Sequence, residues 1–359
     1  MAWFNSLTWF SIISFLVALI FWSKSRSNSS KLRPPGPPGW PLVGNIFDVR
    51  RMPHENFHKL RSKYGPVVWL KLGTLNTVVI QSAAAAAELF KKHDAAFSDR
   101  RVPDSLTVYD YHRSSMSQSR YGEYWRVLRR ICSSELTIQK RINASAPLRQ
   151  KCIEGMIQCI KEDVSGRWFV EDQELFFAAT ETTSDTVQWA MAELLRNPKS
   201  MRRLKTELYQ VVGKSKPVQE DTLNELPYLQ AVVKETMRLH PSLPFLLPRN
   251  AVQDTEFMGY IILRTQWPDR FLNSNIDNKG QHYELIPFGA GRRSCVGMLL
   301  GDRTVCLTLA RLIQAFDWEL PGGISRETLD LREMMSITLR MLVPLKAIPV
   351  DAPLKLDLD

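Results

Sequence analysis

The run Pro287-Phe288-Gly289-Ala290-Gly291-Arg292-Arg293-Ser294-Cys295-Val296-Gly297 decides how the rest of this chain is read. Phe288, Gly291, Arg293, Cys295 and Gly297 spell F-x-x-G-x-R-x-C-x-G. At ordinary residue usage that pattern arises by chance about once in a few million starting points. A cysteine that ligates a metal must be deprotonated and held still. A free thiol titrates near ~8.5, and cations or a helix N-terminus bring it lower. Arg292 and Arg293 stand just before this sulfur. Residues 296–313 follow with a helical pattern, whose positive dipole end faces Cys295. The glycines allow a tight turn that brings N–H groups close to the sulfur. The plainer reading is a small buried hydrophobe in a tight turn.

Three further stretches carry chemistry. Residues 121–132 form a basic helical stretch in which Trp125 and Arg129, four apart, share a face. An indole N–H and a guanidinium side by side suit a carboxylate, although a solvated basic helix around one buried tryptophan has the same composition. Residues 171–196 read as one long helix ended by Asn197-Pro198, and it carries Ala178-Ala179-Thr180-Glu181-Thr182-Thr183. Small residues followed by an acid–alcohol pair suit a helix that admits a ligand and passes it protons. The same residues also serve plain packing, and threonine can loosen a helix by bonding the i−4 carbonyl. Residues 228–241 are amphipathic and stop at Pro241, with Glu235 and Arg238 as i, i+3 neighbours.

Together these stretches resemble the cytochrome P450 family, the haem-thiolate monooxygenases. The resemblance implies that Cys295 ligates the iron of haem b, within a loop that includes Phe288 and Gly291. It implies that Trp125, Arg129 and Arg293 hold the haem propionates, with Arg249 of Pro248-Arg249 as a further cation. Glu181 and Thr182 fall on the acid and alcohol of the oxygen-activation motif (A/G)-G-x-(D/E)-T. One position departs: Ala179 replaces the motif's glycine, and its methyl crowds the oxygen site. Glu235 and Arg238 fall on a buried E-x-x-R pair that Arg270 of Trp267-Pro268-Asp269-Arg270-Phe271 completes as a supporting triad. The implied reaction inserts one atom of O2 into a hydrophobic small molecule. Electrons come from NADPH through NADPH-cytochrome P450 reductase, for which Arg126 and Arg130 offer part of a basic docking face. Stretches such as residues 189–195 and 284–293 resemble the plant microsomal A-type group, nearest its geraniol-type terpenoid and flavonoid hydroxylases, which implies specialised metabolism.

The expected fold is mainly α with a small β-sheet (α+β). Residues 67–72 and 77–80 alternate or cluster as strands do, forming a hairpin across residues 73–76, with more sheet around 255–262. With 359 residues, 44% of them hydrophobic, the chain can bury one or two cores. Its net charge of +10 fits an anionic membrane or acidic protein partner, since no nucleic-acid motif accompanies it. Five cysteines without C-x-x-C spacing argue for a reduced compartment.

Residues 1–23 carry no charged side chain, approach the ~20 apolar residues that span a bilayer, and place tryptophans at 3, 9 and 22. They read as a single-pass transmembrane anchor. The rival is a cleavable signal peptide, which wants a basic start and a small-residue cleavage site. Here Lys24, Arg26, Lys31 and Arg33 follow the apolar run instead, leaving the body in the cytosol; the microsomal resemblance implies the endoplasmic reticulum membrane. Residues 24–44 form a basic, proline-rich strut, and residues 45–359 the haem-thiolate domain.

Against the family, two segments are missing. Between the helical residues 149–167 and the helix from Glu171, the family has several further helices, on the order of 100 residues. Those helices roof the substrate pocket. Between residues 263 and 267 a further ~20–25 residues are absent. The junctions at 164–170 and 263–267 carry no linker composition and look like splices. The alternative function is therefore a truncated, non-catalytic haem-binding or apo membrane protein without its distal roof. A lumenal, non-haem binding protein is a third reading, which needs residues 1–22 to be cleaved.

Overall fold

The computed structural model describes residues 14–15 and 34–350, apart from 42, 50–51, 74, 101, 103–109, 163–176, 214–215, 250–276 and 337. The expected anchor (residues 1–23), the start of the helix from Glu171, both junctions, the strand near 255–262 and Arg270 all lie outside the described residues. No helix among the described residues is long and apolar enough to cross a membrane. The chain divides into two compact units, residues 1–88 with 257–262, and residues 89–256 with 263–359.

The first unit is built on helix α1 (Pro53–Tyr64) and the antiparallel hairpin of β1 (Val67–Leu72) and β2 (Leu75–Ile80). Leu72 pairs with Leu75, so the turn is tighter than expected and the second strand starts two residues earlier than its Val-rich run. Phe57, Val68 and Leu70 form a small core with Leu60, Tyr64 and Val79. The proline-rich segment, expected as a stiff strut, is docked here. Pro35 O accepts the Trp69 N–H at 3.0 Å, and Asn45 Nδ2 donates to Pro37 O at 3.4 Å. A Cβ on Gly36 would overlap the Trp69 carbonyl, so only glycine lets the two backbones lie this close. The division between units falls within α2 (Ala83–Lys92).

The second unit is helical. α3 (Glu123–Ile131) runs into a wide turn at Cys132–Leu136, followed by α4 (Gln139–Ala144) and α5 (Ala146–Glu162). Then come α6 (Phe177–Arg196), α7 (Pro198–Val212), α8 (Pro227–Leu239) and α9 (Met298–Ala315). Proline at the first helical position starts both α7 and α8, where its missing N–H costs nothing. Ile153, Ile157, Leu194, Leu204, Leu208, Leu229, Val232, Leu307, Leu309 and Ile313 belong to one apolar core drawn from α5 to α9. The Glu207 carboxylate caps α8 by accepting the N–H groups of Tyr228 and Leu229 at 2.6 and 2.9 Å.

Two strand pairs near the C-terminus were not expected: β3 (Asp317–Glu319) with β6 (Ile348–Val350), and β4 (Glu333–Met335) with β5 (Leu339–Met341). Each strand has three residues, too few to show a period of two in sequence. Trp189 of α6 and Met341 of β5 share a second apolar cluster.

Candidate functional site

Cys295 closes a loop that leads directly into α9, with Gly297 at the helix cap. The Cys295 N–H donates to Phe288 O at 2.8 Å, and the Ser294 N–H to Gly291 O at 3.1 Å. Phe288 packs against the main core with its ring facing Gly301 on α9. The loop thus grips its own two ends, which fixes the sulfur relative to the helix.

The expected electrostatics of the sulfur need correction. Cys295 is exposed as a residue, while protein atoms around its thiol desolvate it. Burial pushes the thiol up, against the Gly297 N–H and the Arg129 charge, which pull it down. The two arginines beside it in sequence face elsewhere. Arg292 turns to Asp94, at 3.1 Å, and Arg293 donates to Ser98 O and Ser119 O, each at 2.8 Å. Sequence proximity misidentified the cation because successive residues of a turn point in different directions.

The residues expected at the propionates do gather at this loop. Arg129 donates to both the carbonyl and, at 3.1 Å, the hydroxyl of Ser294, one residue before the cysteine. The Arg293 guanidinium lies over the Trp125 ring at 4.0 Å. Trp125 is buried, and its Nε1–H goes to Met116 O at 2.9 Å. Arg249 has both outer nitrogens engaged: Nη1 at 2.8 Å from Asp94 Oδ1, and Nη2 at 2.9 Å from Ala290 O.

Arg100 was missed and belongs with them. It is buried and donates to Ser117 O, Leu247 O and Pro248 O. Burial, with the charges of Arg249 and Arg293, holds its guanidinium down to about 10. Arg293 is likewise held down to about 10, by burial above all, with Asp99 opposing and Arg249 and Arg129 adding to the depression. No pattern in Phe97-Ser98-Asp99-Arg100-Arg101 marks the fourth cation, since it is placed by the loop's path. Asp94 was missed for the same reason.

Glu181 and Thr182 form a separate group on α6. Glu181 is buried, and its Oε2 has no hydrogen-bond partner among the described residues. Thr182 O accepts from Thr186 Oγ at 2.7 Å and from Ser242 Oγ at 3.5 Å, beyond the end of α8. On α8, Glu235 is fully buried, as the resemblance implied, and Arg238 grips it with two hydrogen bonds of 2.7 Å in a bidentate geometry.

The family model described as Cytochrome P450 matches residues 34–167, 170–264 and 267–343. The chain belongs to the cytochrome P450 family. Iridoid oxidase of Catharanthus roseus is 37% identical over 491 aligned positions, covering 93% of this chain and 95% of that protein. Cytochrome P450 76A2 of Solanum melongena is 32% identical over 505 positions, covering 98% of this chain and all 100% of its own. Geraniol 8-hydroxylase of Catharanthus roseus is 29% identical over 484, with 94% of this chain and 98% of that protein covered. Each alignment is longer than the 359 residues of this P450, so each relative has residues facing none here.

The family is one of monooxygenases and implies a haem cofactor. The residues present fit it. Arg293 Nη1 is buried without a hydrogen-bond partner among the described residues, beside other desolvated guanidiniums that depress one another. A group bearing carboxylates supplies an acceptor for Arg293 Nη1 and adds counter-charge to a cluster in which Asp94 and Asp99 face four guanidiniums.

Proposed function

We propose that this P450 inserts one atom of O2 into a hydrophobic, terpenoid-like small molecule, drawing electrons from NADPH through NADPH-cytochrome P450 reductase. The carrying observation is the unpartnered Arg293 Nη1 within a cluster of arginines beside Cys295. Bound haem supplies an iron that, with a thiolate ligand, favours O–O cleavage. Cys295 provides that thiolate, and Gly297 N–H and Arg129 favour its charged form. Arg293, Arg129 and Trp125 would hold the propionates, Arg129 and Trp125 giving up their bonds to Ser294 and Met116 to do so. Arg249, with both outer nitrogens already engaged, braces the loop.

Glu181 and Thr182 hold and move protons on α6. A buried carboxylate oxygen without a fixed donor can take a proton and pass it on. Arg126 and Arg130, both exposed on α3, form part of the docking face for an acidic reductase. Residues 1–23 anchor the chain in the endoplasmic reticulum membrane with its body in the cytosol. The terpenoid class is drawn from the relatives named as iridoid oxidase and geraniol 8-hydroxylase.

A second reading, a haem binder that does not turn over, is favoured by the broken family match. Its breaks after residues 167 and 264 support internal deletions at 164–170 and 263–267. A site without its distal roof admits water, which diverts reducing power into side products. Reconstitution with reductase, NADPH and a panel of monoterpene alcohols separates the two. Hydroxylated product from wild type, with Thr182→Ala consuming NADPH but forming at least severalfold less product, supports the monooxygenase. NADPH consumption without product in the wild type supports the second reading.

A further inference from the structure

Asp94 lies far from the cysteine loop in sequence, yet its carboxylate, 7% exposed, sits against that loop. Oδ2 accepts the backbone N–H of Arg292 at 2.9 Å, and Oδ1 accepts Arg249 Nη1 at 2.8 Å. Arg249 in turn donates Nη2 to Ala290 O at 2.9 Å. The carboxylate and the guanidinium therefore close a bracket around Gly291, holding the peptide groups on both of its sides. Gly291 has φ +67, and a Cβ there would overlap the Asp94 carboxylate. The glycine of the F-x-x-G-x-R-x-C pattern is required twice over, by its backbone conformation and by the group docked on it. From Gly291 the chain is stiff up to the sulfur: Gly291 O accepts Ser294 N–H, and Phe288 O accepts Cys295 N–H. A tilt of the peptides at Gly291 is passed on to Cys295.

We infer that Asp94 is a positioning residue for the thiolate ligand, acting through the Arg292 N–H and through Arg249. The brace also explains why Arg249 is engaged in this structure: its charge is matched by Asp94, and its second nitrogen holds the loop. The inference rests on the reading of Cys295 as the haem ligand, but the brace itself exists without haem and can be tested without it.

The experiment compares the full-length wild type with Asp94→Ala and Asp94→Asn in two arms. The first reads amide hydrogen exchange at Arg292 in the haem-free chain, with α8 amides as the folding control. Asp94→Ala is expected to speed exchange at Arg292 about tenfold, as the loss of 1.4 kcal/mol dictates, while α8 stays protected. Asp94→Asn keeps the shape with a weaker acceptor and is expected to speed it severalfold. If the alanine variant loses protection throughout, the asparagine variant carries the test. Unchanged exchange at Arg292 in a folded variant overturns the inference. The second arm reads the reduced, carbon-monoxide-bound Soret band at equal haem content. The non-thiolate fraction is expected to rise at least severalfold in Asp94→Ala and less in Asp94→Asn. An unchanged split in Asp94→Ala overturns the positioning role. Failure of the wild type to take up haem rejects the proposed function instead, and leaves the first arm to decide on the brace.

Discussion

Replacing His240 with phenylalanine removes one charge from between two carboxylates while keeping a ring in place. His240 Nε2 lies 3.0 Å from Glu193 Oε1 on α6, and Nδ1 lies 3.0 Å from Glu333 Oε1 on β4. The imidazole stacks on Trp189, with centroids 3.7 Å apart and planes 1° from parallel. It is 11% exposed and Glu193 is 7% exposed. Burial pushes the imidazole down, but its hydrogen bonds and charge contacts with both glutamates outweigh that and leave it raised. Removing one partner of a buried pair costs ~3–5 kcal/mol, and the retained stack keeps its ~0.5–1.5 kcal/mol. Glu333 is 17% exposed and Glu193 keeps Asn197 Nδ2 at 3.3 Å, which places His240→Phe near the lower end, about 3 kcal/mol. A group whose folded value lies above its unfolded ~6.5 gives stability that is complete below ~6.5 and lost as pH rises through the folded value. The stability gap between wild type and variant should therefore shrink from pH 6 towards pH 9. Urea unfolding followed by tryptophan fluorescence reads it. A gap under ~1 kcal/mol at pH 6, or one that widens with pH, would refute the reasoning.

Glu235→Ala leaves Arg238 without its bidentate partner, and urea unfolding should show a loss of about 3 kcal/mol, with under ~1 kcal/mol contradicting a buried pair. Leu309→Ala, at a fully buried position of the main core, should cost ~2–5 kcal/mol in the same assay; a loss under ~1 kcal/mol would mean the core collapses around the cavity. Arg129→Ala removes a guanidinium assigned to a haem propionate and should speed haem transfer to apomyoglobin about tenfold, consistent with ~1.5–3 kcal/mol for a charged hydrogen bond. An unchanged transfer rate would contradict its assignment.

What the sequence disclosed depended on range. The cysteine loop, the helix after it, the Trp125–Arg129 face and the Glu235–Arg238 pair are each local, set by turn chemistry or by i, i+3 and i, i+4 spacing, and each was legible. The β1–β2 hairpin was legible because both strands are long enough to show their pattern. Arg100 and Asp94 were not, since their roles come from a loop folded against Gly291 and Arg293 about two hundred residues further on. The identity of the cation beside the sulfur failed for the same reason: Arg129, not Arg292 or Arg293, acts on it. The docking of Pro35 and Asn45 on β1 was hidden because prolines advertise stiffness but not a partner.

The central claim is that Cys295 supplies a thiolate to a haem held by the arginine cluster around it. The reduced, carbon-monoxide-bound spectrum of the purified full-length chain tests it most directly. The account predicts a thiolate-ligated Soret band in the wild type, lost in Cys295→Ser. Haem uptake with the same band in Cys295→Ser, or no haem uptake by the wild type, would contradict it.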